Sequence, residues 1–486
     1  MSLLKTATNG MVWTTTSTIV RSLVSLFQIS ILTKYLAKED FGTIAIVTVF
    51  IGFTQLFLDL GISAGIMHKQ DISRKQYSSL FWLNIITGAL LTIILIAISP
   101  LISKAYNDES LTTIIILLSL TVFLAALGSQ HRIIQQKELR FKYIAIIEIL
   151  SSILTLFVAV ILAVNGYGAY SLVYSTLSGV AFSNLLFLLI GLKKDKNIYF
   201  HFNIRDTYSF IRIGVYSIGS NVLDYFSREI DIIFISASFG KEILGLYTLC
   251  KKIVQMLYGV INPIMTRILT PLFAKIQSDN NHIKEVYLKL VETLSIINFP
   301  IFFLVSIFSK TILNTLYGEQ YISGAFILSI LSLYYGILSI SNPVGSLQLA
   351  LGRTDIGFYW TTYRIITTLI VVYIASFFNI ETLVVLFLFT AILNTVVMWR
   401  FQIFLMIKMS IKEFLSVLLK PLVIVVIISV PFYFLFWSRV SILYTLIGAI
   451  TCLLIYVIFI IRFLSKSYIV YLINKAYTHY LKPNHL

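Results

Sequence analysis

Several ionisable side chains lie inside long apolar runs, where a charge is costly. Arg21 falls in the run 10–33, Asp224, Arg228, Glu229 and Asp231 in 212–236, Lys251 and Lys252 in 244–268, and Arg364 in 356–378. Asp59 and Glu148 stand near the ends of two more runs, 42–65 and 143–165. A charge at the centre of hydrocarbon costs about 2.5–3.5 kcal/mol even on the gentlest scale, so such residues face an interior or a water-filled cavity. Their spacing is patterned. Thr14, Ser17, Arg21 and Gln28 occupy one face of a helix. Shifted by 203 residues, Ser217, Ser220, Asp224 and Asp231 repeat that face, and Asn221 and Arg228 extend it.

The chemistry open to these groups is ion pairing or anion binding. Asp224 and Asp231 stand four and three residues from Arg228, so the three can neutralise one another within a helix and serve structure alone. Arg21 has no acid within its own run. A partner must come from another helix, with Asp59 and Glu148 as candidates, or from a ligand. Lys251 and Lys252 can snorkel to an interface or line a cavity, and Arg364 has the same two options. Three acids crowd Arg228, which leaves the other basic groups largely uncompensated. Spare positive charge in such a cavity suits a phosphate or an acidic sugar and suits a cationic drug poorly. Asp59 and Glu148 are also candidate carriers of a coupling proton or sodium ion, set against the simpler reading of charges solvated near a helix end.

The elements that must position these groups follow from composition. Of 486 residues, 58% are apolar and 12% charged, with a mean hydropathy of +0.91. A soluble domain carries about 25% charge. Runs of about 20 apolar residues match a hydrocarbon core about 30 Å thick. In lipid they must be helices, because only there do all backbone groups find internal partners. The runs are continuous and do not alternate as barrel strands do. The reading is an all-α polytopic membrane protein with about fourteen spans. They lie near 10–33, 42–65, 79–102, 111–130, 143–165, 167–191, 212–236, 244–268, 289–309, 322–346, 356–378, 382–406, 415–436 and 441–463.

The net charge of +16 does not point to nucleic acid, because it is distributed by side of the membrane. Of 37 Lys and Arg, 26 fall in one alternate set of loops, six in the other and five within spans. That bias predicts both termini in the cytoplasm. The first run is too long for a cleavable signal peptide and contains Arg21. Cys250 and Cys452 lie within spans and read as core residues. No phosphate-cradling loop, nucleophile elbow or metal-spaced His cluster occurs, so no catalytic site, metal or cofactor is expected. Pro263, Pro300, Pro343, Pro421 and Pro431 fall in or beside spans as possible bends. Gly61 and Gly65 form a small-residue pair at the end of the second span.

The connection 193–211 is the longest on the inner side, and it divides the chain. This cytoplasmic linker follows a six-helix lobe (1–192), and a second six-helix lobe (212–406), a helix pair (407–463) and an interfacial tail (464–486) come after it. The two lobes share a short motif: YLAKEDFGTIAI (35–46) and SFGKEILGLYTL (238–249) have K-E-x-x-G in common, at Lys38, Glu39, Gly42 and at Lys241, Glu242, Gly245. The repeats enter the membrane in the same sense, an arrangement that puts a substrate site near the midplane between lobes.

Further segments carry a resemblance. They are FLDLGISAGIMHKQDIS (57–73), QQKELRFKYIAIIEILSS (135–152), RIGVYSIGSNVLDYFSREIDIIFIS (212–236), GKEILGLYTLCKKI (240–253), PLFAKIQSDNNHIKEVYLKLVETLSIINFPIFF (271–303) and LALGRTDIGFYWTTYRI (349–365). In this order and spacing the chain resembles the Wzx-like oligosaccharide flippases of the MOP superfamily, which also contains the MATE exporters and lipid II flippases. The resemblance implies carriage of a polyprenyl-pyrophosphate-linked oligosaccharide between leaflets of the bacterial inner membrane, by alternating access and commonly with ion coupling. It also implies a place beside glycosyltransferases and a polymerase. It supplies no set of substrate residues. The expected substrate contacts, Arg21, Arg228, Lys251, Lys252, Arg364, Asp224 and Asp231, come from the stripes. A MATE-like cation or drug antiporter and a non-transporting scaffold for polysaccharide assembly are the alternatives.

Overall fold

The apolar runs fold as helices. The computed structural model describes residues 3–59, 62–69, 71–194, 199–277, 279–436 and 442–463. The expected interfacial tail 464–486 lies outside them, as do the side chains of Ser217, Ser220 and Pro263. Among the described residues the helices are α1 (Leu3–Leu32), α2 (Lys38–Leu58), α3 (Ile62–His68), α4 (Arg74–Ala105), α5 (Ser110–Lys137), α6 (Phe141–Val164), α7 (Ala169–Lys194), α8 (Ile204–Ile276), α9 (Asn280–Ile307), α10 (Ser309–Tyr317), α11 (Ala325–Ile340), α12 (Asn342–Ala350), α13 (Thr354–Ala375), α14 (Ile380–Met398), α15 (Phe404–Ile407), α16 (Ile411–Phe436) and α17 (Ile442–Phe463).

Local chemistry sets several of the boundaries. Ser73 starts α4 by accepting from the Gln76 N–H at 3.3 Å, while the Gln76 side chain accepts from the Ser73 N–H at 3.0 Å. Asp279 caps α9 through the N–H groups of Asn281 and His282, and Asn379 caps α14 through that of Thr382. Pro343 stands in the first turn of α12, where its missing N–H costs nothing. Pro100 and Pro300 lie within α4 and α9.

Thirteen helical stretches among the described residues are long and apolar enough to cross a membrane. One of them, Asn221–Val260, has 40 residues and would run about 60 Å if straight, twice a hydrocarbon core. It does not run straight. Gly240 takes φ 79° and ψ 175°, and the Tyr247 hydroxyl reaches back to donate to Asp231 at 2.5 Å. Sixteen residues of straight helix would hold those two about 24 Å apart. α8 is therefore a hairpin of two crossings, so thirteen stretches make fourteen spans. Gly240 permits the reversal because a positive φ strains any residue with a Cβ.

Apolar side chains are exposed along the helices, among them Ile93, Phe157, Phe389 and Phe434, and only 11% of the apolar window of α13 is buried. Faces this apolar find their solvent in lipid. The protein is a multi-pass membrane protein.

Two compact units make up the chain, Met1–Thr248 and Leu249–Leu486. In the first, α5 packs between α4 and α7, and α6 packs against α1 and α7. Ile62, Ile66, Leu80, Leu83, Ile133 and Phe210 form a core that ties α3 and the start of α8 to α4 and α5. In the second, α9 packs against α11 and α16, around a core that includes Tyr287, Phe299, Phe414 and Tyr456.

Candidate functional site

Arg21 finds its partner on another helix. Its Nη1 donates to Glu148 Oε2 of α6 at 2.8 Å, and Ser17, one turn earlier on α1, donates to the same oxygen at 3.3 Å. The other oxygen, Oε1, accepts from Arg132 of α5, at 2.7 Å from Nη2 and 3.2 Å from Nε. One carboxylate thus joins two guanidiniums and leaves the cluster with a net charge of +1. Glu148 is 16% exposed, but the side chains of Arg21 and Arg132 are 49% and 46% exposed. Each guanidinium has five N–H donors, and Glu148 engages only one or two of them. Glu148 itself stands about 10 Å along α6 from Phe141.

Of the two acids the sequence offers to Arg21, the structure brings Glu148 to it. Asp59 has a local role instead: it ends α2 and accepts from the Ser63 N–H at 3.1 Å and from the Ser63 hydroxyl, across the break before α3. The residue that sequence reasoning missed is Arg132, which reads there as one more basic residue on the inner side. A signal for it existed. Leu139, with φ 57°, turns α5 into α6, and residues at similar distances from a tight turn face each other. Arg132 and Glu148 stand at such positions.

The stripe on α8 divides in two. Asp224 and Arg228 form an ion pair at i,i+4, and both are substantially exposed, at 42% and 65% of their side chains. Asp231 is buried and is held by Tyr247 and by the N–H of Ile232. It belongs to the closing of the α8 hairpin, whereas Arg228 keeps an open face within the span.

The two K-E-x-x-G segments meet. Gly42 of α2 and Gly245 of α8 let their backbones touch, and the contact is reciprocal. A Cβ on Gly42 would lie 2.9 Å from the Lys241 carbonyl carbon, and one on Gly245 would lie 2.8 Å from that of Lys38. Lys38 then pairs with Glu242 at 3.3 Å, and Lys241 pairs with Asp108 in the α4–α5 turn. Burial alone would raise the Asp108 carboxyl, but the hydrogen bonds from Lys241 and Ser110 outweigh it and hold the group below its ordinary value. Here the sequence repeat is a physical contact.

In the second unit, Lys251 is buried and Lys252 exposed. They stand about 16 Å along the helix beyond Gly240. Arg364 lies near the middle of α13 and lines a partly enclosed cavity of about 60 Å³, with Tyr334, Trp360, Thr368, Phe387 and Asn394. Within the first unit Arg21 stands with Glu148 and Arg228 with Asp224; within the second, Lys251 and Lys252 are neighbours on α8 and Arg364 lines its cavity. Among the described residues no cluster of His, Cys, Asp and Glu could hold a metal ion. Cys250 and Cys452 are buried and free.

A family of polysaccharide biosynthesis proteins matches residues 31–325. The teichuronic acid biosynthesis protein TuaB of Bacillus subtilis is 30% identical over 365 residues, 74% of each chain. The lipopolysaccharide biosynthesis protein WzxC of Escherichia coli is 28% identical over 75% of this chain and 74% of its own length. The succinoglycan biosynthesis transport protein ExoT of Rhizobium meliloti is 20% identical over 75% of this chain and 73% of its own. Among solved structures, the lipid II flippase MurJ superposes with a TM-score of 0.77 at 16% identity, covering 94% of this chain and 99% of its own. A multidrug resistance MATE transporter of the MOP superfamily does so with a TM-score of 0.60, covering 77% and 93%. The fold is the one these two structures share, and the chain, a multi-pass membrane protein, belongs to the polysaccharide biosynthesis protein family.

Proposed function

We propose that the protein is a flippase that moves a polyprenyl-pyrophosphate-linked oligosaccharide from the inner to the outer leaflet of the bacterial inner membrane. Both termini would lie in the cytoplasm. The observation that carries this reading is the Arg21–Glu148–Arg132 cluster, with its net positive charge and half-exposed guanidiniums inside the membrane. Guanidiniums offer planar, bidentate donors that fit phosphate oxygens. A pyrophosphate competes with Glu148 for those donors. Protonation of Glu148 would remove that competitor, which makes it the coupling candidate of choice over Asp59, whose carboxylate caps α3.

Alternating access between the lobes 1–192 and 212–406 would carry the head group and leave the polyprenyl tail in lipid, with 407–463 as an appended pair. Arg228, tuned by Asp224, and Lys251 and Lys252 add positive charge to the path, and Asp231 stabilises the α8 hairpin that bears them. Support comes also from relatives named for teichuronic acid, lipopolysaccharide and succinoglycan biosynthesis. Glycosyltransferases that build the unit and a polymerase that consumes it are the expected partners, beside the surrounding lipid.

A cation or drug antiporter needs acids presented to its solute. Glu148, Asp224, Asp231 and Asp59 are each engaged by another group, which favours the flippase. A pure scaffold has no need of guanidiniums held in the membrane. In cells that depend on this chain for a surface polymer, Arg21→Ala should abolish export at normal protein level. Normal export from that variant would overturn the assignment, and drug resistance on expression without an effect on polymer would favour the antiporter.

A further inference from the structure

The cavity around Arg364 is built differently from the Arg21 cluster. It lies within the second unit, between α11, α13 and α14. Arg364 is about 15 Å along α13 from Thr354, so its charge sits deep within the span. Among the described residues no carboxylate pairs with it, and none lines its cavity. Asn394 is oriented by Tyr363, whose hydroxyl donates to Asn394 Oδ1 at 3.0 Å. That bond turns the amide oxygen toward Tyr363 and leaves the NH₂ as a donor. Two aromatic pairs stand at the cavity, Trp360 with Tyr363 at 5.4 Å and Tyr334 with Phe387 at 5.9 Å between ring centroids.

These features select a ligand class. A single guanidinium balances a single negative charge. A pyrophosphate carries more, and one cation would leave it largely uncompensated in a low dielectric. The planar fork of an arginine matches a carboxylate bidentately. A cavity of about 60 Å³ has room for a carboxylate and the edge of a ring, with the remainder in the open mouth. Aromatic faces beside amide donors suit the alternating C–H and hydroxyl edges of a pyranose. We propose that this cavity is a subsite for a carboxylate-bearing sugar, with Arg364 taking the carboxylate and Trp360 and Asn394 the ring. The assignment deepens the flippase reading by naming an acidic saccharide as the cargo, and it rests on that reading only for the cargo.

The experiment is direct binding to the purified full-length protein in detergent. Thermal stabilisation is titrated with glucuronate, glucose and sodium chloride, and no transport is measured. Glucuronate should stabilise the protein at least about tenfold more effectively than glucose, since a hydrogen bond to a charged group discriminates on that scale. Arg364→Gln should remove the difference and Arg364→Lys should restore part of it. Asn394→Asp places a carboxylate in the same cavity as the guanidinium at nearly constant shape and should also remove the difference, so the test survives a misfolded Arg364→Gln. Equal effects of glucuronate and glucose, or a glucuronate effect that persists in Asn394→Asp, would overturn the site. Chloride acting as well as glucuronate would overturn the sugar and leave a small-anion site. A protein that binds glucuronate but moves no lipid-linked saccharide would keep this site and sink the flippase reading.

Discussion

Gly245→Ala tests the reciprocal contact between the repeated segments. The added Cβ would lie 2.8 Å from the Lys38 carbonyl carbon and 3.1 Å from the Gly42 nitrogen. Carbon contacts are comfortable at about 3.5–4.0 Å, so the backbones must part by about 1 Å. Both partners are backbone and cannot rotate away. Overpacking of this kind costs about 1–3 kcal/mol, and the upper part of that range applies where no side chain can yield. Parting by about 1 Å also stretches the Lys38–Glu242 pair, already at 3.3 Å, beyond salt-bridge range. The assay is cross-linking. Cysteines replacing Lys38 and Glu242 should be joined by a short thiol-reactive linker in the Gly245 background and much less in the Gly245→Ala background. Cys250 and Cys452 are buried and stay out of the reaction. Loss of folded monomer on heating in detergent should shift in parallel, by a factor of about 5 or more. Undiminished cross-linking together with unchanged heat resistance in Gly245→Ala would refute the close approach.

Three further outcomes follow from the same geometry. Glu148→Gln leaves Arg21 and Arg132 side by side without their shared carboxylate. Because both guanidiniums are about half exposed, the loss should be about 1–2 kcal/mol rather than the 3–5 of a fully buried pair, read as earlier heat inactivation in detergent. Tyr247→Phe strips a buried Asp231 of its hydroxyl donor and should destabilise the protein by about 1–3 kcal/mol, while Asp231→Asn in the same background should recover part of it in the same assay. Asp108→Asn should weaken the Lys241 contact equally at about pH 5 and pH 8. The folded carboxyl titrates below its ordinary 3.8, so its contribution is complete above that value and vanishes only as pH falls through the lower one. A marked difference in the effect of Asp108→Asn between the two pH values, measured by heat resistance, would contradict this.

What was legible in the sequence is what the bilayer imposes. Runs of apolar residues at Ile144–Ala163 or Leu443–Ile461 have no alternative to helix in lipid, so the spans and their approximate ends could be read directly. The repeat was legible because K-E-x-x-G must be kept where two backbones touch, although only the structure shows that its copies touch each other. The site was legible in part. Arg21 announces itself because nothing within its own run can neutralise it, and Glu148 was one of two partners on offer. Arg132 was not legible by composition, since a basic residue near the inner end of a span is ordinary; its meaning comes from the α5–α6 turn that sets it across from Glu148. Asp231 shows a second pairing that the sequence hides. It resembled a member of a polar stripe, and the reversal at Gly240 makes it a partner of Tyr247. Both cases show pairings sixteen residues apart that are created by a turn, which the periodicity of a single helix cannot express.

The central claim is tested most directly by placing the purified protein in liposomes with a fluorescent polyprenyl-pyrophosphate-linked oligosaccharide and measuring how much becomes accessible to a reagent confined to one side. The account predicts that the wild-type chain exposes label from the opposite leaflet and that Arg21→Ala and Arg132→Ala slow this by about tenfold or more while the protein remains folded. Movement of the lipid at the wild-type rate by Arg21→Ala, or none by the wild-type chain, would contradict it.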